Sequence, residues 1–317
     1  MRQRAKHNLM VLLAAFFLLP AGLVSAGENV SASYLYNLSN FAGILPVSWV
    51  EISIDESHDE VYVLLGQAIK IFNDRGMEVY SFNESGEIDG VSDVAADDEG
   101  NIIVISREQR EIVRCNYRGE RISTMELKNL PPEFSGFFPS RVFFLKGAFY
   151  FEGSSSGSSS KKVVVTDREG LYKDGYDITE LVNLDEKSED TEIVGFNVDR
   201  EGNLLFTMPI MSKAYVLSPD KQVRSFGKRG SRPGTFGVLG GIASDASGRF
   251  ILVADTLRCV VMVFNRDFVF QTEFGFRGFN PGNLVGPMQL AVDSKNRLYV
   301  TQLRDRGVSV YQLSIGS

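Results

Sequence analysis

GIASDASGRFILVADTLRCVVMVF, Gly241 to Phe264, packs three short apolar runs into one compact stretch. The first run alternates as far as Asp245. A tight Asp-Ala-Ser-Gly turn follows, and a second run extends from Phe250 to Ala254. The polar loop Asp255 to Arg258 then leads into a third run, Cys259 to Phe264. Runs this short, broken by turn-forming residues, are strands rather than helix, so the stretch is an antiparallel β-meander.

The same meander recurs. Its marker is an Asp that ends the first strand and opens a turn: Asp97 to Gly100, Asp199 to Gly202, Asp245 to Gly248, and Asp293 to Asn296. The carboxylate at the first position accepts backbone N–H bonds, and the last position needs a residue tolerant of positive φ, hence Gly or Asn. Asp55 opens a longer copy without the glycine. A degenerate copy runs from Ser140 through Phe144 and turns at Lys146-Gly147. The anchors are spaced 42, 47, 55, 46 and 48 residues apart. Each copy carries a second and a third strand, and most carry a fourth. Four strands per repeat, six times, predicts an all-β fold, a six-bladed β-propeller of four-stranded antiparallel blades. The last repeat lacks a fourth strand, whereas Ser33 to Ser39 is a spare one, so the N-terminal strand is expected to pair in the last blade and close the ring.

SFGKRGSRPGTF (Ser225 to Phe236), with Gly241 to Asp245 and Val253 to Thr256, resembles the NHL repeat. Phe274 to Gly278, Pro281 to Leu284 and Leu290 to Asp293 repeat the pattern. The resemblance is to secreted bacterial propellers of this type. It implies a single propeller over residues 27–317.

Before that domain stand Arg2, Arg4 and Lys6, an apolar run from Leu9 to Leu19, and the small residues Val24-Ser25-Ala26. This is the pattern of a signal peptide over residues 1–26, with export to the periplasm or medium after cleavage near Ala26. The run is too short to span a bilayer, so no membrane insertion is expected. Without the three basic residues of the leader the chain has 30 basic and 40 acidic residues. That balance disfavours nucleic acid, although the part from Lys221 onward is basic. Cys115 and Cys259 fall three blades apart, too far for an intramolecular disulfide.

In a propeller the loops after second and fourth strands share a face with the starts of first strands. Glu51, Asp93, Ser140, Gly195, Gly241 and Gln289 occupy equivalent positions there, four residues before each anchor. The neighbouring loops offer Asp255, Arg258, Gln302, Arg304 and Arg306. These make a polar channel mouth and a candidate binding surface; an ordinary water-lined channel end is the plainer reading. The resemblance extends to calcium-dependent lactonases and to a zinc-dependent amidating lyase. Histidine occurs only as His7 and His58, too few for a zinc site or a Ser-His-Asp triad. No cofactor is called for, except that Glu51, Asp93 and Gln289 could offer oxygen ligands to calcium. The leading expectation is therefore a non-enzymatic binding or scaffold propeller for a protein or peptide partner. The alternative is a calcium-dependent, lactonase-like hydrolase or lyase at the channel mouth. A third reading has Arg258, Arg304 and Arg306 bind an anionic polymer. Oligomeric state is not legible.

Overall fold

The computed structural model describes residues 30–45, 50–184 and 192–316; the candidate signal segment lies outside them. Six four-stranded antiparallel sheets follow one another around a ring. The first blade contains Glu51–Asp55, Glu60–Leu65, Ala68–Phe72 and Glu78–Phe82, and the second Val91–Ala96, Ile102–Ser106, Glu111–Cys115 and Arg121–Met125. The third contains Phe137–Leu145, Ala148–Ser155, Lys161–Thr166 and Tyr172–Asp177, and the fourth Phe196–Val198, Leu204–Met208, Lys213–Leu217 and Val223–Phe226. Leu239–Ser244, Phe250–Asp255, Val260–Asn265 and Phe270–Gly275 form the fifth. This is the six-bladed propeller expected from the repeats.

Pro287–Val292, Arg297–Gln302 and Val308–Ile315 supply three strands of the sixth blade, and Val30–Asn37 adds the fourth. Val30 pairs with Ile315 and Asn37 with Ser309, with one register shift between Tyr34 and Tyr36. Tyr34 meets Tyr311 edge to face at 5.8 Å, an arrangement that suits the ring quadrupoles. The closure therefore joins sheet hydrogen bonds to aromatic packing.

Second and third strands are apolar on both faces because each blade is covered by its neighbours. Ile102 to Ser106 is buried throughout, as is Phe250 to Asp255. Clusters straddle adjacent blades: Tyr62, Ile71 and Phe82 of the first pack with Val94, Val104 and Val113 of the second. The two cysteines are buried free thiols in separate clusters, and burial pushes the Cys115 thiol up to about 11.

The turn Asps are structural. Asp97 accepts N–H bonds from Glu99 at 3.0 Å and Asn101 at 2.8 Å, and Asp293 does the same for Lys295 and Arg297 at 2.9 and 2.8 Å. Charges then stitch one blade to the next on that face: Arg168 to Asp98, Arg266 to Asp199, and Lys295 with Arg297 to Asp59.

Residues Gly153 to Ser160 are all Gly or Ser, and the first of them are strand. The second strand of the third blade continues to Ser155. A Cβ at Gly153 would lie 2.2 Å from the Phe138 carbonyl oxygen, so glycine is required for the strands to meet. After Pro131 a single 3-10 turn, Pro132–Phe134, buries Phe134. Asp177 caps the short helix Ile178–Leu181 through the Glu180 N–H. Among the described residues no helix is long and apolar enough to cross a membrane.

Candidate functional site

Six first strands line a central channel with a cavity of about 310 Å³. At the end where those strands begin, Gln289, Glu51, Asp93 and Arg141 come from four consecutive blades, the sixth, first, second and third. Gly195 and Gly241 occupy the rest of the circle. Their lack of side chains has a packing cause. A Cβ on Gly195 would lie 2.7 Å from the Gly240 carbonyl oxygen, and one on Gly241 would lie 2.6 Å from that of Met288. The polar groups are thus confined to one arc, opposite a wall of main chain.

The arc is tightly held. Asp93 is 5 % exposed, and its two oxygens accept N–H bonds from Val94 and Val142, both at 2.9 Å. Burial drives its carboxyl well above the usual range, and the Glu51 charge pushes the same way; the two amides and Arg141 oppose them. Glu51 is also raised, by burial first and then by the Glu152 charge, with Arg141 pulling it down. Gln289 donates to Glu51 and accepts the Ile52 N–H at 3.3 Å, fixing the amide's orientation. Glu152 is buried and accepts the Ser140 hydroxyl at 3.0 Å.

Arg141 is the cation of this cluster. Its Nη2 donates to the Val194 carbonyl at 3.0 Å, while its buried Nη1 has no partner. An unspent guanidinium donor, in an arc whose two carboxyls are raised by burial, can take an anionic or polarised oxygen. Among the described residues no three His, Cys, Asp or Glu side chains come together closely enough to hold a metal ion.

Arg141, rather than Ser140, occupies the third-blade position. The turn here is a two-residue one at Lys146-Gly147, not a four-residue Asp turn, so the first strand runs one residue further than the anchor count assumes. Counting back from Leu145, the last strand residue, finds Arg141; counting from Phe144 misses it. Glu152, directly across the ladder from Arg141, was also missed.

The loop residues named from sequence lie apart from the channel lining. Asp255 is fully buried and ties the preceding loop to its blade, accepting from Gly237 N at 2.7 Å and Arg258 N at 3.0 Å. Gln302 plays the same part for Val285 N, at 2.8 Å. Arg258 forms a two-pronged bond with Glu273 at 2.7 and 2.8 Å, and Arg306 lies over the Phe279 ring. Arg304 sits in the loop between the second and third strands with a left-handed backbone.

At the opposite end Arg200 of the fourth blade pairs with Glu56 of the first, across the ring, and Lys146 Nζ donates to the Arg200 carbonyl at 2.6 Å. These groups span the far mouth.

No family model matches the chain, and no curated protein matches it. Solved structures do, at the level of fold. A virginiamycin B lyase from Staphylococcus aureus is 13% identical, with 90% of this chain and 99% of that one covered and a TM-score of 0.55. A gluconolactonase from Xanthomonas campestris is 13% identical over 90% of each chain, with a TM-score of 0.57. A luciferin-regenerating enzyme is 13% identical, with coverage of 92% and 97% and a TM-score of 0.59. These chains share the six-bladed architecture and are enzymes. They overturn the expectation of a non-enzymatic scaffold. Of the loop groups that were to face a partner, Asp255 and Gln302 are buried in the protein's own bonding and Arg258 is held in an ion pair.

Proposed function

We propose that the protein is a hydrolase acting on a cyclic or activated ester at the Glu51 end of the channel. The observation that carries this reading is the partnerless Nη1 of Arg141 in the same arc as the carboxyls of Glu51 and Asp93, both raised above the ordinary range by burial. In this reading Arg141 takes the ester carbonyl oxygen and later the product carboxylate. Water adds to the carbonyl carbon, the bond to the leaving oxygen breaks, and that oxygen takes the proton of Glu51. The proton released by water restores Glu51. Asp93, buried and tied to two amides, keeps Val142 and hence its neighbour Arg141 in place, and Gln289 orients Glu51.

Two observations favour hydrolysis without calcium over the other enzymatic readings. A histidine-to-alanine variant of the staphylococcal lyase is described as catalytically inactive, and no histidine lines this channel. Glu51, Asp93 and Gln289 suit calcium poorly, because Arg141 already supplies positive charge and both Asp93 oxygens are committed to amides. Export through the 1–26 segment and the finer NHL assignment belong to the same proposal, resting on the sequence patterns.

The test is a pH-stat survey of γ- and δ-lactones and aryl acetates with the wild type, Glu51→Gln and Arg141→Met. Turnover by the wild type and its loss in both variants is expected. Full turnover in Arg141→Met would overturn the assignment, and stoichiometric calcium in the active protein would overturn the metal-free reading.

A further inference from the structure

A second cavity lies between the first and second blades, among the outer strands on the turn face. It measures about 430 Å³ and sits within the usual range of small-molecule sites. Tyr62, Tyr80 and Tyr117 give it three aromatic walls, and His58, Glu60 and Arg118 supply its polar groups. Tyr80 and Tyr117 are 44% and 66% exposed, large ring faces left open to solvent. Tyr62 is the reverse case: it is 4% exposed and borders the cavity, and among the described residues its hydroxyl has no hydrogen-bond partner.

The walls are built rather than incidental. The Tyr80 hydroxyl donates to the Arg118 carbonyl at 3.0 Å, fixing one blade to the next, and the Arg118 guanidinium lies 5.3 Å from the Tyr117 ring centre. His58 is held by Asp55, Nδ1 to Oδ2 at 2.8 Å, while the remaining Asp55 oxygen accepts the Ser57 and His58 amides. With Nδ1 thus occupied, the Cε1–Nε2 edge of the ring lies against Gly100, which lines the cavity with it. The asparate–imidazole contact also favours the charged ring.

We infer that this inter-blade cleft binds a neutral saccharide, a short oligosaccharide stacking its C–H faces on Tyr80 and Tyr117. The polar inventory selects the class. Arg118 is a donor, Glu60 is an acceptor, His58 brings the second nitrogen of its ring, and Tyr62 offers its hydroxyl. An anionic ligand meets Glu60, and a cationic one meets Arg118. A sugar hydroxyl donates and accepts at once, so one uncharged ring satisfies both signs. Its apolar face covers the exposed tyrosine rings at the same time. The cleft is on the far side of the disc from the Glu51 mouth, and the inference is independent of the hydrolase reading.

Isothermal titration and ligand-observed NMR with cellobiose, maltose and N,N′-diacetylchitobiose, each to about 10 mM, test it. At least one sugar should bind at one per chain. Tyr80→Ala and Tyr117→Ala should each weaken binding about tenfold, and Tyr62→Phe should weaken it measurably while leaving the fold unchanged. Glu51→Gln should bind the sugar as the wild type does. Failure of all three sugars to bind overturns the inference, as does wild-type affinity in folded Tyr117→Ala. Tighter binding of benzoate than of any sugar would overturn the ligand class.

Discussion

Replacing Glu51 by Gln should move activity and stability in opposite directions. Burial and the Glu152 charge raise the Glu51 carboxyl above its ordinary value, so the folded protein holds this proton more tightly than the unfolded chain. The sign follows from linkage. The contribution is fully present below the unfolded carboxyl range near pH 4, and it is lost as pH rises through the elevated folded value. Above that value the wild type must keep a charge its surroundings disfavour. Gln removes that burden, and by turning its amide it can still accept from Gln289. Each unit of pKa elevation is worth about 1.4 kcal/mol, which is about 2 °C or more in melting temperature for a domain this large. Glu51→Gln should therefore melt like the wild type at pH 4 and above it at pH 8. Its ester turnover should fall by about 10²–10⁴, the usual contribution of a positioned proton donor. Differential scanning calorimetry from pH 4 to 8, beside the pH-stat assay, reads both. A stability difference independent of pH, or a variant as active as the wild type, would refute the account of Glu51.

Arg141 lowers the Glu51 carboxyl, so any activity left in Arg141→Met should lose its acid form at a higher pH than the wild type does, visible as an upward shift of the alkaline limb of kcat/KM. Gly153→Ala places a methyl group against the Phe138 carbonyl and should cost about 1–3 kcal/mol in urea unfolding. Removing the exposed Glu56–Arg200 pair by a double change to Gln should cost at most about 1 kcal/mol, yet should let small solutes enter the channel from the turn face, detectable as faster quenching of a probe in the cavity.

What could be read from the chain alone was whatever repeats. Asp97, Asp199, Asp245 and Asp293 mark the blades because a turn with a backbone-bonding carboxylate has a sequence signature. The missing fourth strand and the spare segment at Ser33 identified the closure by simple counting. Three of the four polar groups in the channel arc, Glu51, Asp93 and Gln289, follow from the same repeat logic. Arg141 escapes because the third blade turns through two residues, Lys146-Gly147, with no anchoring Asp, so its first strand ends at Leu145 and a count begun at Phe144 slips by one. Asp255 and Gln302 were misleading for a different reason. They occupy the right loops, but a loop crossing between blades carries amides that need partners, and these two side chains supply them. The cleft of Tyr80 and Tyr117 is invisible to alignment because it is made between repeats, from residues that no repeat position has in common.

The closure of the sixth blade carries a further consequence. Val30 lies directly beside Ile315 in the finished sheet, so the ring is interrupted at a single reverse turn, where every other blade has one such as Asn265 to Phe268. During synthesis the strand that emerges early must wait, with an open hydrogen-bonding edge, until the last hairpin arrives, which makes assembly slow and leaves it prone to pairing with other chains. A few residues joining the two ends would abolish that waiting period and let the chain be reopened at another turn without altering a single blade. The order in which the blades are strung is thus a property of the gene, and the disc itself has no beginning.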